Sequence, residues 1–179
     1  GDLLLMESRT SVRRITCHLL EQGRTLPGFI GDISYAQSNR ERYEGFCQAL
    51  ADAGKKVDSS LCLTTPLGID TYREEIDTFL SSLSRMPDAF VCASDYVACI
   101  LMQLLEKRGL RVPEDVAVSG FDNNTEDLLA EHLTTVQVFN EELGARLALQ
   151  ILYRIKYPNT PHEITYLGTN VLYRDSTGD

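Results

Sequence analysis

Apolar residues along the chain follow two alternating spacings. Short continuous runs give way to longer stretches in which apolar positions recur every three or four residues. The first run, Leu3–Met6, predicts a strand. Val12, Ile15 and Leu19 then share one face of a helix that Gly23 stops. Residues 26–30 predict a second strand, closing at Gly31-Asp32, and Tyr43, Phe46, Cys47 and Leu50 mark a second amphipathic helix ended by Gly54. A third strand is predicted over residues 60–63, followed by a loop over 64–70. Tyr72, Ile76, Phe79, Leu80 and Leu83 line one face of a third helix, and Met86-Pro87-Asp88 makes a turn. Residues 89–93 are apolar without interruption, as a strand buried on both faces should be. Asp95 stands as a cap for a helix over residues 96–108, which Gly109 ends. Residues 116–121 predict the fifth strand and 122–132 a polar loop. Beyond it, residues 134–138 are extended, 141–156 helical and 162–174 extended again.

Strict alternation of strand and helix predicts an α/β fold, a doubly wound parallel sheet with helices on both faces and its second to fifth strands adjacent. In such sheets ligands gather beyond the carboxyl ends of the strands. That rule selects residues 31–42, 64–72, the turn Ala93-Ser94-Asp95, and Gly120-Phe121-Asp122-Asn123 as the places where chemistry should converge.

Composition narrows the function. The net charge of −9 opposes contact with a phosphate backbone, so these residues are not expected to bind nucleic acid. No apolar run reaches the ~18 residues of a membrane span, and the apolar start at Gly1–Met6 lacks the basic flank of a signal peptide. Cys17, Cys47, Cys62, Cys92 and Cys99 form no C-x-x-C pair and lie among apolar residues, the pattern of buried, reduced thiols in a cytoplasmic protein. His18, His132 and His162 are scattered and suggest no metal site. No G-x-S-x-G, P-loop or G-x-G-x-x-G is present, and an acid pair of Asp95 and Asp122 lacks a second convergent cation or metal-site histidine. The chain reads as a non-enzyme without a cofactor.

Several segments, in order, resemble the effector domain of LacI/GalR transcription regulators. They are Gly28-Phe29-Ile30-Gly31 followed by Asn39-Arg40-Glu41-Arg42-Tyr43-Glu44-Gly45-Phe46, the run from Asp88 to Asp95, the run from Gly109 to Asn123, and Leu133-Thr134-Thr135-Val136. The Gly109–Asn123 run is long enough to be specific alone. The resemblance implies a two-lobed, periplasmic-binding-protein-like core of type I. Residues 1–8 would be a remnant of the N-terminal lobe and 9–137 the C-terminal lobe. Residues 138–165 would supply the crossover and one N-terminal-lobe helix, and 166–179 the return. It also implies a homodimer, a small-molecule effector such as a sugar, and DNA binding only through an N-terminal domain outside this sequence. The helical face Leu143, Leu147, Ile151 and Ile155 and the strand Leu3–Met6 would then lack their first-lobe partners. They are expected to be covered by a neighbouring chain, to pair with themselves, or to be poorly ordered.

The resemblance places the effector-binding arginine at Arg42 and the effector-binding aspartate at Asp122. Ser94 falls where the family often carries Asn or Gly, so its hydroxyl leaves the ligand's identity open; Asp95 beside it and Ser38 are further polar candidates. Chemistry agrees with these roles. A guanidinium offers a forked pair of donors to vicinal hydroxyls or a carboxylate, and an aspartate after a buried strand accepts two hydroxyls. Each also has a plain alternative: a surface ion pair of Arg42 with Glu41 or Glu44, turn chemistry at Asp122-Asn123, and a helix cap at Ser94-Asp95.

Departures bear on the ligand. Gly23-Arg24-Thr25-Leu26-Pro27 replaces the family's usual Gly-His-Arg-Arg-Ile, a turn with no bearing on ligand. Val138 stands where many members have Gln, so a hinge-side polar contact is expected to be missing. Residues 64–70 hold no aromatic ring to stack on a sugar, leaving Tyr35 as a substitute. The rival reading is a solute-binding protein of a sugar transporter, which shares the fold and its lobe closure.

Overall fold

A computed structural model describes residues 1–68, 70–124 and 131–178. The chain runs β1 (Leu3–Met6), α1 (Arg9–Glu21), β2 (Pro27–Ile30), α2 (Gln37–Asp52), β3 (Cys62–Leu63), α3 (Tyr72–Ser82), β4 (Ala89–Cys92), α4 (Asp95–Lys107), β5 (Ala117–Ser119), β6 (Thr135–Gln137), α5 (Asn140–Lys156), β7 (Ile164–Leu167) and β8 (Asn170–Leu172). The four strands β3–β2–β4–β5 lie side by side in that order, all parallel, as the strand–helix alternation required. Phe29 pairs with Val91 and Val91 with Ser119, so the carboxyl ends of β2, β4 and β5 finish together.

Both faces of this sheet are buried. Successive side chains of a strand point to opposite faces, and the two cores divide accordingly. Phe29, Ala89, Val91 and Ala117 meet Val12, Ile15 and Leu19 of α1 and Phe46 and Leu50 of α2. Ile30, Phe90, Cys92 and Val118 meet Ile76 and Leu80 of α3 and Val97, Leu101 and Leu105 of α4. Helices α1 and α2 touch closely at Gly45, where a Cβ would collide with the carbonyl of Arg9.

Three local expectations change. The third strand shrinks to Cys62–Leu63, because Asp58 accepts from the Ser60 N–H and hydroxyl and winds Ser59–Leu61 into a 3-10 turn. Helix α4 starts one residue early. Ser94 is its cap, with the Val97 N–H donating to Ser94 Oγ at 3.3 Å, so the capping role expected of Asp95 passes to its neighbour. Of the five thiols, all free, only Cys92 and Cys99 are fully buried; the other three are partly exposed. The loop expected over residues 122–132 lies partly outside the described residues.

A smaller unit sits beside the main sheet. Strands β1 and β7 pair in parallel from Leu3–Ile164 to Met6–Leu167. Arg154 and Gln150 of α5 and the Glu163 N–H all donate to the carboxylate of Asp2, which ties α5 to both strands and holds that carboxyl well below its ordinary range. The chain passes between the two units three times, after β1, after β6 and after β7. The third passage is pinned by Thr169, whose hydroxyl bonds Ser11 Oγ at 2.8 Å and donates to the Glu7 carbonyl at 3.0 Å. Strands β6 and β8 form a separate antiparallel ribbon. Among the described residues no helix is long and apolar enough to cross a membrane.

Candidate functional site

Arg42 rises from the second turn of α2 and is 8% exposed. Its guanidinium lies 3.7 Å over the ring of Phe121. Nη1 donates to the carbonyl of Ala93, just past β4, and Nη2 to Asp122 Oδ1 at 3.3 Å, just past β5. One side chain therefore joins the carboxyl ends of two neighbouring strands. The third donor, Nε, is buried without a partner. Burial pulls this guanidinium down from its ordinary value, against the attraction of Asp122 and Asp95. The alternative ion pair with Glu44 is taken up elsewhere, since Glu44 meets Arg9.

Asp122 and Asn123 both adopt positive φ, 109° and 52°, a backbone that Asp and Asn tolerate better than other non-glycine residues. The surroundings here are specific. The Asp122 N–H donates to the Val136 carbonyl at 3.1 Å and the Asn123 N–H to Thr135 Oγ1 at 3.2 Å. The Asn123 amide donates to Gln137 Oε1 at 2.6 Å and accepts from Arg174 at 2.8 Å. Beneath the turn, the carboxylate of Asp95 accepts from Thr135 Oγ1 at 2.6 Å and from the Asn124 N–H at 2.7 Å. Gly120 leaves room for it, since a Cβ there would strike Asp95 Oδ1. Burial pushes the Asp95 carboxyl up to about 6, against these two hydrogen bonds. Burial also raises Asp122, opposed by Arg42.

These groups open on a cleft of about 310 Å³ between the ends of the main sheet and the smaller unit. Ser38, Glu41, Arg42 and Asp122 line one side. Leu4, Leu5, Met6, Asn140 and Leu143 line the other, and Val138 reaches the cleft from the passage after β6. Of the residues singled out in the sequence, Arg42, Asp122 and Ser38 thus come together. Ser94 and Asp95 are not among the lining residues. Ser94 caps α4, and Asp95 is 2% exposed beneath the Asp122 turn. Tyr35 is 75% exposed and away from the cleft lining. A larger cavity, about 540 Å³ beside Met102, Leu110 and Val112, lies at the amino end of β5, away from the strand ends where the polar groups converge.

Sequence reasoning passed over Glu41 and Asn140. Glu41 was weighed only as an ion partner of Arg42, yet it stands three residues after Ser38 and one before Arg42, and so shares the face on which i, i+3 and i+4 meet. Asn140 gave no signal, because its place in the cleft depends on how the two units face each other.

A parallel sheet covered on both faces, a second unit reached by three passages of chain, and a polar cleft between them define a periplasmic-binding-protein-like domain. Comparison with known proteins agrees. The periplasmic binding protein-like domain family matches residues 16–177. The regulator DegA of Bacillus subtilis is 35% identical over 146 residues, 80% of this chain and 42% of its own length. A CelR–cellobiose complex superposes with a TM-score of 0.87 at 28% identity, over 98% of this chain and 54% of that one. A LacI-family regulator from Sanguibacter keddieii superposes with a TM-score of 0.86 at 27% identity, over 99% of this chain and 67% of that one. The chain belongs to the periplasmic binding protein-like domain family, in the form carried by LacI-family transcriptional regulators. It spans about half the length of the curated relatives it matches.

Proposed function

We propose that this chain is the ligand-sensing domain of a LacI/GalR-type regulator. It takes a small effector, a sugar or related metabolite, in the cleft at Arg42, and so controls DNA binding by a domain outside these residues. The observation that carries this reading is Arg42 itself: a buried guanidinium, held by two strand ends, in a side chain that lines a polar cleft. A guanidinium carries five N–H donors, of which two are used here, so it has donors left for a hydroxylated ligand. Asp122 supplies the matching acceptor. The named cellobiose complex of a relative supports a sugar in particular. The curated relatives are regulators by name, and nothing in the structure favours the transporter alternative.

The effector acts by population shift. Held between the two units, it favours the relative orientation that completes its contacts, and it does so only by its differential affinity for the two orientations. The three passages of chain between the units are the hinge of that motion. In this reading the protein works as a cytoplasmic homodimer, and residues 1–8 and 138–165 belong with the lobe that completes β1, β7 and α5.

The test is calorimetric titration of the full-length protein with a panel of neutral sugars that includes cellobiose, repeated with Arg42→Ala. We expect the variant to bind at least about tenfold more weakly, the equivalent of one lost charged hydrogen bond, with a cooperative unfolding transition retained. An unchanged sugar titration would falsify the assigned role.

A further inference from the structure

We propose that Glu41 sets the charge class of the effector, making the cleft select neutral or ammonium-bearing sugars and reject phosphorylated or carboxylated ones; this deepens, and rests on, the sugar-binding reading above.

The argument is a count of donors and acceptors. Glu41 is 6% exposed and lines the cleft beside Arg42. Gln37 Nε2 donates to it at 3.0 Å and the Tyr166 hydroxyl at 3.1 Å, both to Oε1. Among the described residues no donor reaches Oε2. Asp122 is in the same position: Arg42 reaches Oδ1, and no described donor reaches Oδ2. Two carboxylate oxygens thus have no protein donor, whereas the cleft's cation already serves the Ala93 carbonyl and Asp122 with two of its five N–H groups. An ionised carboxylate only accepts, so the complementary ligand is rich in donors. Hydroxyls satisfy this need, and an ammonium group satisfies it with a charge.

The charge count points the same way. Among the described lining residues Arg42 is the one cation, set against two carboxylates. The start of α2 at Gln37 and Ser38 adds about half a positive charge. The start of α5 at Asn140 is followed by Glu141 and Glu142 in its first turn, which oppose its own dipole. The sum stays negative, and the chain as a whole carries −9. A phosphate or carboxylate on the ligand therefore meets repulsion at short range. Tyr166 touches Glu41 without adding to this charge. It reaches from β7 to α2, and among the described residues its hydroxyl makes the one hydrogen bond between the smaller unit and that helix.

The experiment is calorimetry on the full-length protein with glucose, galactose and ribose, each alongside its amino and phosphate derivatives. We expect at least one neutral or amino sugar to bind, and its phosphate derivative to bind at least about tenfold more weakly, the size of one like-charge contact near a protein surface. Glu41→Gln keeps an acceptor for Tyr166 and Gln37 but removes the charge, and should narrow that ratio severalfold. Tyr166→Phe keeps the charge and should leave the ratio near that of the wild type. Phosphate derivatives binding as tightly as their parent sugars would overturn the proposal while sparing the sugar reading. So would a ratio unmoved by Glu41→Gln, or one moved equally by Tyr166→Phe. Failure of every sugar to bind would overturn the sugar reading and this inference with it.

Discussion

Helices α4 and α5 carry the same apolar spacing and meet opposite fates. In α4, eight residues are buried, among them Val97, Leu101, Leu104 and Leu105. In α5 none is, although it is four residues longer. Leu147 is 49% exposed, Ile151 53% and Ile155 73%. The strands beside them follow suit. All four residues of β4 are buried, whereas Leu3 of β1 and Ile164 and Tyr166 of β7 stay exposed. An amphipathic pattern is therefore only a capacity for burial, and a second layer must be present to use it. Helix α4 finds that layer in β4, β5 and α3. Helix α5 rests on a two-stranded sheet too narrow to cover it, which is where the expectation of missing partners for Leu147 and Ile151 placed the exposed patch.

The largest break in this comparison should come from Phe90, fully buried under Phe79 and α4. Phe90→Ala should cost about 3–5 kcal/mol, read as a lower urea midpoint with an unchanged slope. A cost below about 1 kcal/mol would mean that the main sheet is no better packed than the smaller unit.

A second effect is smaller and depends on pH. The Asp95 carboxyl is raised from its ordinary 3.8 to about 6 in the folded chain. The stability this contributes is complete below the unfolded value and is lost as pH rises through about 6. Lowering the pH from 7 to 5 should therefore stabilise the chain by about 1–1.5 kcal/mol through this group. Asp95→Asn should reduce that slope, leaving what the raised carboxyl of Asp122 adds, while the lowered carboxyls of Asp2, Asp32, Asp52, Asp58 and Asp115 lose their contribution as pH falls toward and below about 4. A pH 7-to-5 difference that survives Asp95→Asn must arise from another group.

The smallest effect should fall on α5. Ile151→Ser in this 179-residue chain should change stability by under about 0.5 kcal/mol, as for an ordinary surface position. The amides of α5 should exchange with solvent faster than those of α4, which opens only with its core. In the full-length protein the same substitution should cost more if the rest of the N-terminal lobe covers this face. Equal costs in the two proteins would count against that lobe assignment.

That Arg42, Asp122 and Ser38 would share one cleft was legible in the sequence. Arg42 and Asp122 stand at strand ends that the α/β alternation alone marks, and the family resemblance chose them from among several charged neighbours. Ser94 and Asp95 show the limit of such reasoning. Both sit in the right loop, but sequence position does not say whether a side chain faces the cleft or the space beneath the next turn. The 2% exposure of Asp95 comes from contacts with Thr135 and Asn124, each about 30–40 residues away.

The sequence by itself determined the alternation of strand and helix, the double burial of β4, and the ends of α1, α2 and α4, because spacing and glycine placement act over a few residues. Tertiary structure decided three things that local spacing does not. It set Arg42 against Asp122 across 80 residues of chain. It turned Asp95 inward. It left α5 bare where α4 is covered. Each is a choice of partner rather than of local conformation, and a partner distant in sequence leaves no mark on the spacing of the residues it meets.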